Sequence, residues 1–465
     1  MRHIWHHFLC CGLFALAVLG RADSQSTRDQ IFRDARAGNC QAAEGQARGV
    51  ATTAQDHAAE ETAVALCKTR QGHPEEASAD FEAAVRAEPK AWEGWNNLGA
   101  NYLVLRRFSK SAEAFRRATT IDPNVVSPWY NLGSCLLQSG SNLDAFTALN
   151  HAYRLAPGDV QINGIRVKLA GVIAGEAANA IDRGQYAEAF RMLSATSEVL
   201  ENSASWNNLI GYAAFKLGKP EIAKRHLETA LRMDPNNEGY LLDVGEFLAS
   251  YRAYSEAVRF FEVGLTRMPH SAPVRFGLAV SYMLEGNLDR ATPLLEQLHA
   301  ADPLWEPVNL ALGEGYESGG RWSAMLRLGV FLQSKEPSNA FAWYLEGAAR
   351  ERLAAGNQTQ LSEAIADLRR AVALEPRSSR DHYALGRALQ DRKEFPGAVA
   401  EFENAMRLDP ADTKARYALA RTYAQMGKRD SAQREFEILA RAKAKTVHDT
   451  YLAFMASAQH SHLGP

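Results

Sequence analysis

Three asparagines, Asn97, Asn131 and Asn208, each stand directly before a leucine. An amide side chain carries both a donor and an acceptor, so asparagines at regular intervals can grip the backbone of an extended peptide whatever its sequence. A solvated polar face and hydrogen bonds within the protein itself are the plainer uses of the same groups. Further along, Phe276, Val280 and Met283 make an apolar stretch near acidic Asp243, Glu246, Glu314 and Glu317. Arg380, Arg387, Lys414 and Arg421 follow, interleaved with Tyr344, Tyr383 and Tyr417. Residues 377–445 hold fifteen Lys/Arg against ten Asp/Glu. Such a basic-aromatic stripe suits a carboxylate terminus or an anionic chain through charge-assisted hydrogen bonds. A charged, solvated helix face is the competing reading.

Chemistry of other kinds is missing from the chain. No H-E-x-x-H, G-x-x-x-x-G-K-[ST] or G-x-S-x-G occurs, and Gly313-Glu314-Gly315 does not follow a strand as a phosphate loop would. The thirteen histidines are scattered without metal-ligand spacing. His460 and His462 near the end read as part of a tail. We therefore expect no enzyme, no cofactor and no metal. With 52 Lys+Arg against 54 Asp+Glu, the charge balance also argues against a nucleic-acid partner.

The elements that must position these residues are set by nine prolines. Pro89, Pro123 and Pro157, then Pro235, Pro269, Pro303 and Pro337, then Pro376 and Pro410 step by 34 residues within each run. The breaks are 78 and 39 residues, two steps plus ten and one step plus five. A fixed period of this size marks a repeat array. In the unit from Trp92 to Val125, Trp95, Leu98, Gly99 and Tyr102 fall on one helical face, and Phe108, Phe115 and Ala118 follow a turn. Gly99, lacking a Cβ, lets a second helix lie close, and Pro123 stops that helix. Each unit is thus a helix pair. Trp95, Trp129, Trp206 and Trp343 read as core.

The run Trp95-Asn96-Asn97-Leu98-Gly99, with Tyr102, Phe115, Ala118 and Pro123, resembles a tetratricopeptide repeat. Trp129, Leu132, Gly133, Ala145, Leu149, Ala152 and Pro157 repeat the pattern. Leu385, Gly386, Ala398, Phe402, Ala405 and Pro410 fit it again. The resemblance covers most of residues 56–446 and implies an all-α, right-handed superhelical solenoid of about twelve stacked helix-turn-helix units. Residues 23–55 read as a divergent N-terminal helical repeat and 56–159 as regular units. Residues 160–203 read as a degenerate repeat and joint, 204–339 as regular units, 340–446 as units with a turn insertion near 356–360, and 447–465 as a tail. The ten extra residues are expected in the connections at 157–165 and 201–204.

The resemblance further implies that the first helices line a concave groove, with the positions beside each Leu-Gly pair facing inward. It places Asn97, Asn131, Asn208, Phe276, Tyr344, Arg380, Tyr383, Arg387, Lys414, Tyr417 and Arg421 there, and implies a protein or extended peptide as partner. An assembly role in an envelope or secretion complex fits that picture. An anionic glycan, or a component of polysaccharide export, is the alternative occupant of the basic-aromatic stripe. The complete cation-and-asparagine set of chaperone-tail clamps is absent, because the unit after Asn131 is degenerate.

Residues 1–22 read as a signal peptide. Arg2, His3, His6 and His7 precede an apolar run from Phe8 to Leu19, and Gly20-Arg21-Ala22 supplies small residues near a cleavage site. The run is shorter than the ~20 residues that span a bilayer, so no stable membrane span is expected after cleavage. The expected address is exported, either periplasmic or secreted. Cys40 and Cys67 fall in adjacent units, where an oxidising compartment permits a disulfide. Two buried thiols are the alternative.

Overall fold

The computed structural model describes residues 26–48 and 53–441; the signal-peptide reading and the tail at 447–465 lie outside these residues. The described residues form 25 helices, about twelve helix pairs, and no strand. The chain divides into two compact units, Met1–Ala223 and Lys224–Pro465.

The first unit pairs α1 (Ser26–Ala37) with α2 (Cys40–Arg48), α3 (Ala54–Arg70) with α4 (Pro74–Ala87), and α5 (Trp92–Val104) with α6 (Phe108–Ile121). Then come α7 (Val126–Gln138) with α8 (Asn142–Leu155), α9 (Val160–Asp182) with α10 (Tyr186–Ala195) and the short α11 (Ser197–Leu200), and α12 (Ala204–Lys216). The boundary falls within α13 (Pro220–Met233). The second unit pairs α14 (Glu238–Ser250) with α15 (Tyr254–Arg267), α16 (Ala272–Glu285) with α17 (Leu288–Ala301), and α18 (Glu306–Ser318) with α19 (Trp322–Lys335). It continues with α20 (Ala340–Leu353) and α21 (Gln358–Leu374), α22 (Ser379–Asp391) and α23 (Phe395–Leu408), and α24 (Thr413–Gln425) and α25 (Arg429–Arg441).

Each pair closes through a turn with at least one left-handed residue. Glycine holds that place at Gly140 (φ 82), Gly218 (φ 68) and Gly427 (φ 76), but Arg106 (φ 56), Arg252 (φ 60) and Lys393 (φ 65) also adopt it. Within several pairs the helices touch through a glycine: a Cβ added to Gly99 would lie 2.8 Å from the Phe115 ring. The second helices carry one large apolar side chain at a recurring place. Phe81, Phe115, Leu149, Leu193, Leu227, Phe261, Leu295, Leu368 and Phe402 are all at most 2% exposed. Burying each such side chain is worth roughly 1.5–3 kcal/mol, so these ladders hold each unit together.

The ruler prolines have a second use beyond stopping helices. Six residues after several of them, a side chain donates to the proline carbonyl: Trp95 to Pro89 at 3.0 Å, Trp129 to Pro123 at 2.9 Å, Trp343 to Pro337 at 2.8 Å. Arg275 and Asn309 do the same to Pro269 and Pro303. The core reading of the tryptophans is refined, since Trp95 and Trp129 pack against the core while only partly buried. Trp206 is buried, whereas Trp95, Trp129 and Trp343 are half-buried struts between connection and first helix. Neighbouring pairs are tied by a tyrosine hydroxyl that donates to a glutamate twenty residues back. Tyr102 reaches Glu82 at 2.5 Å, Tyr282 reaches Glu262 at 2.5 Å and Tyr316 reaches Glu296 at 2.9 Å. Burial and then the glutamate push Tyr102 and Tyr282 up to about 12.

The two breaks in the ruler are filled by helix, not by connection. Helix α9 has 23 residues against the 13 of α7, a difference of ten that accounts for the first break. The expected location at 157–165 and 201–204 is thus corrected: Asp159 caps α9 through the Ile162 N–H, and apolar Ile162, Leu169 and Ile173 keep the longer helix seated. The second break mostly lengthens α21, which has 17 residues against 14 in α23. Gln358 to Gln360 belong to its first turn, capped by Asn357, and Gly356 (φ 90) stays in the turn.

Candidate functional site

The second unit gathers charge on the helices α18, α20, α22 and α24. Glu314 and Glu317 stand one turn apart on α18, and Glu317 accepts a 2.7 Å hydrogen bond from the Tyr344 hydroxyl of α20. The Arg380 guanidinium of α22 lies over the Tyr344 ring at 4.3 Å and the Phe341 ring at 4.7 Å, and its Nε donates to Asp381 at 3.0 Å. One residue face thus links three first helices.

The fourth helix, α24, brings the charge of Lys414 to bear on the same face. Burial pushes Glu314 up to about 7 and Glu317 adds to the rise, while Arg380 and Lys414 pull it down. Glu351, on α20, is buried and pairs with Arg387 of α22. Burial pushes it up to about 7 against the pull of Arg387, and Asp391 adds to the rise. Burial and then Glu317 raise the Tyr344 hydroxyl well above the ordinary phenol range.

The sequence candidates separate into three groups. Phe276 is 1% exposed and packs on Trp305 with ring centroids 5.4 Å apart, so it is core and cannot meet a partner. Val280 and Met283 are buried as well. Tyr344 is only 4% exposed and is likewise corrected from contact residue to the floor beneath Arg380. The cause is the same for both: α16 and α20 bury apolar positions on more than one side, between their own second helix and the neighbouring pairs.

A second group is turned to internal use. Asn131 donates to the buried Asn96 of the preceding pair at 3.0 Å, the internal role its amide also permits. Asn97 and Asn208 are half-buried. Arg387 is spent on Glu351 and lies over the Tyr383 ring. The third group is open: Lys414, Tyr417 and Arg421 are exposed on α24, Tyr417 at 52%. Arg380, about a third exposed, adjoins them through Glu314.

Glu351 and Asp381 are members of this face that residue pattern did not single out. Glu351 follows Tyr344 by seven residues, two helical turns along the same face, so a signal was present. Asp381 is fully buried one residue after Arg380. Among the described residues, no group of three or more His, Cys, Asp or Glu is placed to hold a metal ion. Among them also, no helix is long and apolar enough to cross a membrane. The first unit holds a Cys40–Cys67 disulfide with Cα atoms 5.5 Å apart, joining α2 to α3. Cys135 is a free, buried thiol that burial raises above its ordinary range.

Stacked helix pairs of this length, closed by a left-handed turn and an X-Pro stop, define a helical repeat protein. Two family models, each described as tetratricopeptide repeat, match residues 69–126, 208–272 and 348–413, and residues 248–313 and 389–457. The chain belongs to the tetratricopeptide repeat family. Among curated proteins it is similar to anaphase-promoting complex subunit CDC16 of Saccharomyces cerevisiae, 23% identical over 221 residues, 45% of this chain and 24% of that protein. It is also similar to anaphase-promoting complex subunit 3 of Schizosaccharomyces pombe, 24% identical over 50% of this chain and 32% of the relative. The chain spans about a third or less of the length of these relatives. Among solved structures, yeast Tom70 matches at 14% identity with a TM-score of 0.41, covering 87% of this chain and 96% of that one. The Cut9-Hcn1 hetero-tetramer of the APC/C matches at 15% identity and a TM-score of 0.40, covering 93% and 90%.

Proposed function

We propose that this chain is a non-enzymatic, exported scaffold that holds an extended protein segment against the first helices of its second unit. The observation that carries the reading is the open trio Lys414, Tyr417 and Arg421 on α24, beside the half-open Arg380. Lys414 and Arg421 form no ion pair among the described residues. Two unpaired cations flanking an exposed ring suit an acidic stretch of chain, whose carboxylates take charge-assisted hydrogen bonds while its apolar atoms lie on the tyrosine. The asparagine-lined first unit is the weaker candidate, because Asn131 is already bonded to Asn96.

Export is supported by the cationic and apolar pattern of residues 1–22 and by the Cys40–Cys67 bridge, since disulfides persist in oxidising compartments. Assembly of an envelope or secretion complex is the process such a scaffold would serve. The test is fluorescence anisotropy with a labelled hexaglutamate peptide, a labelled Gly-Ser peptide and alginate as a polyanionic glycan. Lys414→Glu with Arg421→Glu should weaken hexaglutamate binding about tenfold or more, each lost charged hydrogen bond costing ~1.5–3 kcal/mol. Unchanged binding sinks the site. Alginate binding that alone depends on the two cations would favour the glycan occupant instead.

A further inference from the structure

We infer that Glu314 sets the specificity of the second unit's first-helix face, by requiring a lysine or arginine beside the acidic stretch of a bound chain. The inference rests on the acidic-segment reading above and adds to it a residue and a register. It starts from the open surface of α18. From Pro307 to Glu317 every residue is buried except Leu310, Glu314 and Glu317. These three stand at i, i+4 and i+7, one face of the helix. The same row is open on α24, as Tyr417, Arg421 and Ala424, and closed on α20, where Tyr344, Ala348 and Glu351 are buried. An acidic opening on α18 therefore adjoins the basic one on α24, and Lys414 acts on Glu314 across the gap.

What Glu314 meets there decides its role. Glu317 is already engaged by the Tyr344 hydroxyl at 2.7 Å. Glu314 forms no hydrogen bond or ion pair among the described residues, and Arg380 and Lys414 offset its charge only at a distance. A half-buried carboxyl in that state lacks a donor, which is why burial prevails and pushes it up to about 7. Arg380 is held by Asp381 and lies over the Tyr344 and Phe341 rings, so it is not free to turn. Lys414 is the cation that an acidic chain would take. Once ligand carboxylates claim it, the offset to Glu314 is lost, and any further acid beside Glu314 meets like charge. An ammonium or guanidinium at that place restores the offset and supplies the missing donor, as a charge-assisted bond partly shielded from water. An unbroken acidic run thus suits α24 but not α18.

Fluorescence anisotropy on the full chain at pH 8, where Glu314 is ionised, tests this. The labelled peptides carry three glutamates, two glycines and a last residue that is lysine or glutamine. Both chain directions are made, and the two glycines span about 7 Å of extended chain. In one direction the lysine peptide should bind about tenfold tighter than the glutamine peptide, the gain of one charged hydrogen bond. Glu314→Gln keeps the shape of the side chain. It should bind the glutamine peptide at least as well as wild type, which shows the fold intact, while erasing the preference for lysine. Glu314→Asp should keep part of that preference. Lysine that confers nothing in either direction, or a preference that survives Glu314→Gln, overturns the inference. The acidic-segment site itself still stands in that case, provided Lys414→Glu with Arg421→Glu weakens binding. Loss of the glutamine peptide in Glu314→Gln would make the residue structural and overturn the inference as well. If neither peptide binds wild type, both readings fall together.

Discussion

Glu314 and Glu351 are carboxyls that burial holds protonated further up the pH scale than a free glutamate, to about 7 in each case. In the unfolded chain both would lose their protons near 4.3. Between those values the folded state binds more protons, so its stability must fall as pH rises through the window. Burial shifts Glu346, Asp367 and Asp381 upward too, so the second unit's titrating carboxyls act in one direction. Denaturant midpoints of the second unit, followed from pH 5 to 7.5, should decline, and Glu314→Gln with Glu351→Gln should flatten the decline. A midpoint that climbs across this range would contradict it. The basic stripe was legible from residue type and spacing, but which of its cations are free was not. Arg387 and Lys414 look alike in sequence; only the fold shows that the first is spent on Glu351 and the second is open. Phe276 shows the reverse limit, since an apolar residue at an inward position can be floor or core depending on its neighbours.

At the scale of the element, the proline period placed almost every helix pair because a missing N–H and a restricted preceding residue end a helix regardless of context. It did not show that the extra residues lengthen α9 and α21. Length gained inside a helix leaves no breaker residues to mark it, whereas the same residues in a loop would. The turns yield a direct prediction. Arg106 and Arg252 sit at positive φ where other pairs have glycine, a conformation costing an L-residue roughly 1–2 kcal/mol. Arg252→Gly should therefore stabilise the second unit by about 1 kcal/mol after the entropy glycine loses on folding is deducted. Thermal melting would check it, and a lower midpoint would show that the Arg252 side chain matters more than its backbone. Leu132→Ala, in the buried face of α7, should cost about 2–5 kcal/mol, and hydrogen exchange should confine the loss to its own and adjacent pairs.

Each unit is a run of stacked helix pairs, so each part reports mainly on itself and its neighbours. The Cys40–Cys67 bridge spans 27 residues, and closing a loop of that size contributes about 3 kcal/mol in the chain-entropy model. Reduction should accordingly loosen α1 to α4 and leave α22 to α25 unchanged in a proteolysis time course. Equal loosening of both ends would mean the bridge acts on the entire chain. The family and its helix-pair architecture were open to reading from sequence because repetition averages over the weakness of any single position. The partner was not, because recognition rests on a few side chains that the repeat leaves free to vary. The most direct measurement places a photoreactive benzoylphenylalanine at position 417 on α24 in one protein and at exposed position 263 on α15 in another, each irradiated with labelled hexaglutamate. The first-helix site predicts a cross-link at 417 that excess unlabelled peptide abolishes, and little at 263. Equal labelling at both positions, or labelling at 263 alone, would contradict it.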